Sequence, residues 1–180
     1  GITYDSNVVT VTVLADGTVL SAGQVWMDRN LGASQVATSA TDSAAYGDLY
    51  QWGRGADGHQ LRTNSGTTDT LSTTDDPTHS DFISPPPGFP YDWRSPQKNN
   101  LWQGVSGINN PCNAGFRLPT VTEFNTERVS WSNSDQFDMF DSPTKLTMAG
   151  YRHMSDSVIT CVEDCGSYWS STTYNSSGYD

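Results

Sequence analysis

Hydrophobic positions in this chain fall in short alternating bursts rather than long helical stripes. Residues 8–14 (VVTVTVL) are β-branched and alternate with period two, which reads as a strand. Asp16-Gly17 is a hairpin turn signal, followed by a weaker strand over residues 18–20 and another over 24–28. Thr41-Asp42-Ser43 offers caps for a short helix through Ala44, Ala45, Leu49 and Trp52, which Gly53 would stop. The clearest helix starts at Thr120, where Thr120-Val121-Thr122-Glu123 spells a capping box. Val121, Phe124, Arg128 and Trp131 then fall near one face, which predicts a helix covering a core. Residues 132–142 read as loop, and residues 145–151 and 158–162 as strands. The predicted class is α+β, with short antiparallel strands, two helices and long irregular loops in a single domain over residues 1–180.

The stretch from Gly53 to Pro96 has little periodicity and is rich in Gly, Pro, Ser, Thr and Asp. An irregular segment of that length inside a compact domain is either functional or disordered. Its aromatics Phe82, Phe89, Tyr91 and Trp93, with Trp102 beyond, predict that it packs down onto the rest.

Composition sharpens this picture. Only 34% of residues are hydrophobic, yet 11% are aromatic and six are Trp. A core of this kind depends on a few large side chains, each burying roughly 150–250 Å². The net charge of −11 argues against a nucleic-acid partner and against docking on anionic membranes. No stretch approaches the ~20 apolar residues of a membrane span. Gly1 opens directly onto domain-like sequence, with no signal-peptide pattern. Arginine outnumbers lysine, and Arg29, Arg94 and Arg117 are expected to be structural ties.

Several chemical candidates can be weighed. Residues 53–58 (GRGADG) formally match a glycine-rich nucleotide fingerprint, but they follow an expected helix and enter a polar loop, so a glycine-rich turn is the better reading. His59, His79 and His153 are far apart and lack zinc spacing, so they are expected at the surface or in loops. Cys161 and Cys165 can close a small disulfide loop in an oxidising compartment, with reduced thiols as the alternative. Neighbouring Glu163 and Asp164 disfavour a catalytic thiolate there. Calcium is a candidate cofactor, with Asp75, Asp76, Asp81, Asp135, Asp138 and Asp141 as potential loop ligands. No carboxylate pair stands out for catalysis.

Four signatures carry more. They are Trp26 to Ala33 (WMDRNLGA), Tyr46 to Gly53 (YGDLYQWG), Gly115 to Thr120 (GFRLPT) and Gly166 to Thr172 (GSYWSST). In this order they resemble the "major paralogous domain" family of Fibrobacter, which is similar to formylglycine-generating-enzyme-like domains of the C-type-lectin fold. The resemblance implies a C-type-lectin-like domain that lacks its C-terminal strands, with any partner of Cys112 lying beyond residue 180. It also implies a non-enzymatic, surface-displayed recognition module, on a phage fibre, virion or bacterial envelope, hence extracellular. Its ligand would be a glycan or a protein receptor. The tail over residues 166–180 is almost all Tyr, Ser, Thr, Asn and Gly, a palette suited to recognition. Tyr168, Tyr174, Asn175 and Tyr179, with Trp93 and Trp102, are therefore the candidate ligand-binding residues. The alternative is a structural or assembly module within a virion or surface filament, including homo-oligomers.

Overall fold

The computed structural model describes residues 14–87, 91–132 and 138–173. Ala22 and Gly23, with φ of 45° and 78°, reverse the chain between β1 (Thr18–Ser21) and β2 (Gln24–Met27). Positive φ at both central residues of a two-residue loop suits the twist of a hairpin, and the pair is antiparallel with Ser21 opposite Gln24. The hairpin therefore closes at Ala22-Gly23. The Asp16-Gly17 turn lies before it, with Thr18 N donating to Ala15 O at 3.2 Å. The strand expected over residues 8–14 falls outside the described residues, apart from Leu14.

Two further pairings are short. β3 (Thr67–Thr68) runs parallel to β4 (Phe82–Ile83), and β5 (Tyr151–Arg152) runs antiparallel to β6 (Ile159–Thr160). Among the described residues each sheet has two strands. α1 (Val121–Val129) begins at the capping box read from sequence, with Thr120 Oγ1 accepting from Glu123 N and Glu123 Oε2 accepting from Thr120 N. Its buried position is Glu127 rather than Arg128, which is exposed. α2 (Asp138–Asp141) lies where a loop was expected. The class is mixed helix and small sheets, α+β.

Two expectations need correction. The helix through residues 44–52 is only a single 3-10 turn at Ser43–Ala45, capped by Asp42, whose Oδ1 accepts from Ala44 N at 3.2 Å. Gly47 ends any continuation at φ 69°, where a Cβ would meet Leu31 O at 2.3 Å. The strand over residues 145–151 shrinks to Tyr151–Arg152, because the preceding backbone is tied to loops: Met148 N donates to Ala40 O at 2.7 Å.

With so little sheet, side chains carry the long-range connections. The core is Trp52, Ile83, Trp93, Leu101, Trp102 and Leu118, with Tyr50, Leu71, Cys112 and Trp169 packed against it. Trp52 Nε1 donates to Ser170 O at 2.9 Å, Trp93 Nε1 to Trp52 O at 2.7 Å and Trp169 Nε1 to Tyr50 O at 2.8 Å. Asn30 Nδ2 reaches the carbonyls of Ala45 and Tyr46, Thr147 Oγ1 and Tyr168 Oη, all within 3.1–3.3 Å. Ser171 N and Oγ donate to Pro119 O. All four sequence signatures are thereby joined to one another.

Asn30→Ala should cost about 2–3 kcal/mol in urea unfolding, because it strips acceptors in three separate segments of their donor. Gly32→Ala should be comparably harmful, since Gly32 has φ 79° and an added Cβ would meet the Asp48 carboxylate at 2.4 Å. A change below about 0.5 kcal/mol in both variants would contradict this account of the ties.

Candidate functional site

The glycine-rich run over residues 53–58 builds a buried polar knot, not a phosphate cradle. Arg54 is fully buried, and its Nε meets Asp57 Oδ2 at 2.6 Å. Its remaining nitrogens donate to Gln51 Oε1 at 2.8 Å and to the carbonyls of Asp81 and His79 at 2.9 and 2.7 Å. His59, also fully buried, places Nδ1 2.7 Å from Asp57 Oδ1, while Nε2 accepts from Gln51 N at 3.0 Å. Those partners assign the neutral ring with its proton on Nδ1. Burial pulls the His59 pKa down, with the Asp57 hydrogen bond opposing it. His59 lies in a loop, one of the two places expected of it, but is interior rather than at the surface. His79 and His153 are exposed, near Asp81 and Asp156.

The other expected ties hold to different degrees. Arg117 grips Glu123 through two bonds of 2.8 and 2.7 Å, which, led by the guanidinium, hold the carboxyl down at about 2. Arg94 and Lys98 both pair with Asp75. Among the described residues Arg29 pairs with its neighbour Asp28.

A hollow of about 650 Å³ opens where the four signatures meet. Its aromatic walls include Trp26, Tyr46, Tyr50, Phe116, Phe124, Tyr168 and Trp169, with Leu31, Leu49 and Leu146 between them. Trp26 meets Phe124 edge-on at 6.0 Å, and Phe124 stacks on Tyr168 at 6.2 Å. Charged groups share the wall, among them Arg29, Arg117, Arg152, Glu123 and Glu127. Asp48 lies in the wall, and burial raises its pKa, with Arg62 opposing. Cys112 is a free thiol in the same wall, pushed up to about 11 by burial, which keeps it protonated and unreactive near neutrality.

Tyr168 belongs to this wall. Its hydroxyl donates to Thr147 O at 2.7 Å and accepts from Thr147 N at 2.8 Å, so the ring is fixed and only half-buried. Trp93 and Trp102 are 2% and 0% exposed and belong to the core, and Trp102 also lines the hollow. A chain poor in aliphatic residues spends its largest rings on burial. Tyr174, Asn175 and Tyr179 lie outside the described residues. So do Asp135 among the calcium candidates and Phe89. Among the described residues no group of three or more His, Cys, Asp or Glu could hold a metal. Asp75 is already neutralised, and Asp76 Oδ1 accepts from Thr78 N at 2.8 Å. Cys161 and Cys165 stand at disulfide distance, Cα–Cα 5.4 Å.

Comparison of the chain with protein-family models, curated protein sequences and solved structures finds no match. The residues of the hollow must therefore speak for themselves. Sequence reasoning missed Asp48, Asn30 and Glu127 in that setting. Asn30 and Asp48 sit inside two of the quoted signatures, which was the available signal; Glu127 showed only as a polar residue three after Phe124.

His59 supplies a pH prediction. Its folded pKa lies below the unfolded value of about 6.5, so the unfolded chain binds the extra proton. Stability should hold above about pH 6.5 and fall as pH drops below it. His59→Gln should flatten that part of the stability–pH curve in urea titrations at several pH values. An unchanged slope would refute the neutral, buried assignment.

Proposed function

We propose that the chain is a non-enzymatic recognition module of the C-type-lectin type, displayed on a phage fibre, virion or bacterial envelope, that binds a glycan or protein receptor. The observation that carries this reading is the aromatic-walled hollow of about 650 Å³. Ligand sites are concave, mainly apolar and furnished with a few convergent polar groups. Here rings from all four signatures converge with Asp48 and Asn30. Flat aromatic faces suit the apolar faces of sugar rings, and fixed acceptors suit hydroxyls. Support for the fold type comes from the four signatures, which interlock through Asn30, Trp52, Trp169 and Ser171. The one buried histidine serves the polar knot on both ring nitrogens, which leaves it no lone pair for base catalysis.

The test is binding to a glycan array and to intact candidate host surfaces, with Leu146→Trp as the blocked variant. Retention by the native chain and at least about tenfold weaker binding by Leu146→Trp, at unchanged Tm, are expected. Failure across the whole panel would overturn the reading.

An assembly role has one observation in its favour. Tyr151, Met154, Val158 and Val162, on and around the β5–β6 hairpin, are exposed. Concentration-dependent oligomers in sedimentation, abolished by Val158→Asp, would favour it.

A further inference from the structure

Burying a carboxylate without a cation is costly, and proteins ordinarily pair such groups. The part-buried Asp28, Asp57, Asp75 and Glu123 each meet an Arg or Lys. Glu127 does not. It is 0% exposed, it lines the hollow, and no ion pair among the described residues includes it. Oε1 accepts from Ser21 Oγ at 3.0 Å, Trp131 Nε1 at 3.2 Å and Thr144 Oγ1 at 3.4 Å, whereas Oε2 has no hydrogen-bond partner.

The surroundings suit a cation. Phe124 precedes Glu127 by three residues, so both project from the same face of α1. Trp26 and Tyr168 pack on Phe124. The Trp26 indole donates to Ser21 O at 3.2 Å, which ties it to the residue that holds Glu127. Aromatic faces attract organic cations, more strongly where water is excluded. Of the guanidiniums in the wall, Arg29 pairs with Asp28, Arg117 holds Glu123, and Arg152 donates to Leu61 O while its Nε is buried without a partner. A metal ion would need more ligands than this one carboxylate, and no such group exists among the described residues. Two buried donors without partners also belong to residues of the same hollow, Arg152 Nε and Trp102 Nε1. A ligand carrying an acceptor would satisfy the Trp102 indole.

We infer that the hollow takes an organic cation: a protonated primary amine on a sugar-like or apolar body, its ammonium on Glu127 Oε2 and its body against Trp26, Phe124 and Tyr168. The inference rests on the reading of the hollow as the ligand site and names the chemical class that site prefers.

The experiment compares glucosamine with glucose, and hexylamine with hexanol, at about pH 6.5, where the amines are protonated. Calorimetry gives affinity, and the tryptophan indole signals in proton–nitrogen spectra locate binding. Each amine should bind at least about tenfold more tightly than its neutral counterpart, and the signals of Trp26 and Trp102 should move. Glu127→Gln keeps an oxygen for Ser21, Trp131 and Thr144 and should erase the preference. Equal affinity for amine and neutral probe, a preference that survives Glu127→Gln, or no binding by any of the four would overturn the inference. The amine–neutral comparison on the native chain decides the matter even where the variant does not fold. Neutral probes that bind as well as amines leave the receptor reading standing, whereas failure of the receptor panel strikes that reading separately.

Discussion

The structure depends on side chains that reach across the chain to cap backbone carbonyls. Among the described residues, three two-stranded sheets and two helices cannot satisfy the backbone, yet buried peptide groups must find partners. Indoles do much of this work. Trp26, Trp52, Trp93 and Trp169 each donate to a backbone carbonyl, three of them linking segments 41 to 119 residues apart. One residue type thus supplies both the apolar bulk of the core and the directional bonds that a larger sheet would otherwise provide. Arg54 plays the polar counterpart, collecting Gln51, Asp57, His79 and Asp81 around a single buried guanidinium. Arginine suits that task because its planar fork offers five donors in fixed directions.

Seen this way, the hollow and the ties are one arrangement. Asn30 fixes Tyr168, Trp169 anchors on Tyr50, and Gly32 leaves room for the Asp48 carboxylate. Tyr168 and Trp169 are held by bonds to distant segments, so part of the cavity wall is set by the same contacts that hold the fold. Rigid walls of this sort lower the entropy cost of binding, because little must be ordered when a ligand arrives.

Legibility in the sequence followed the range of the interactions. α1 was readable because its start is written in four consecutive residues, where Thr120 and Glu123 satisfy each other's backbone groups. The 3-10 turn at Ser43–Ala45 kept its Asp42 cap but not its expected length, since Gly47 adopts a conformation imposed by Leu31 and Asn30. α2 has no periodic pattern and was not readable at all. Burial of Trp93 and Trp102 was half visible: the sequence suggested that the loop packs down, yet the same rings were also expected to meet a ligand. The polar knot hid inside a glycine-rich run because Arg54, Asp57 and His59 are close in sequence, while three of their acceptors come from Gln51, His79 and Asp81.

Glu127 illustrates why a site can be invisible in sequence and plain in structure. On a helix of exposed Thr, Asn and Arg, one more acidic residue reads as solvated surface. Tertiary packing inverts that, turning Glu127 inward against Ser21, Trp131 and Thr144. Those three neutral donors all converge on one oxygen, and three donors on Oε1 are enough to hold the side chain in place. They do not neutralise it. A purely structural role would be met as well by glutamine, whose carbonyl could accept the same bonds without placing a charge in the interior. In a chain of net charge −11 that sets its part-buried Asp28, Asp57, Asp75 and Glu123 beside arginine or lysine, the free oxygen is what separates this carboxylate from the ties around it.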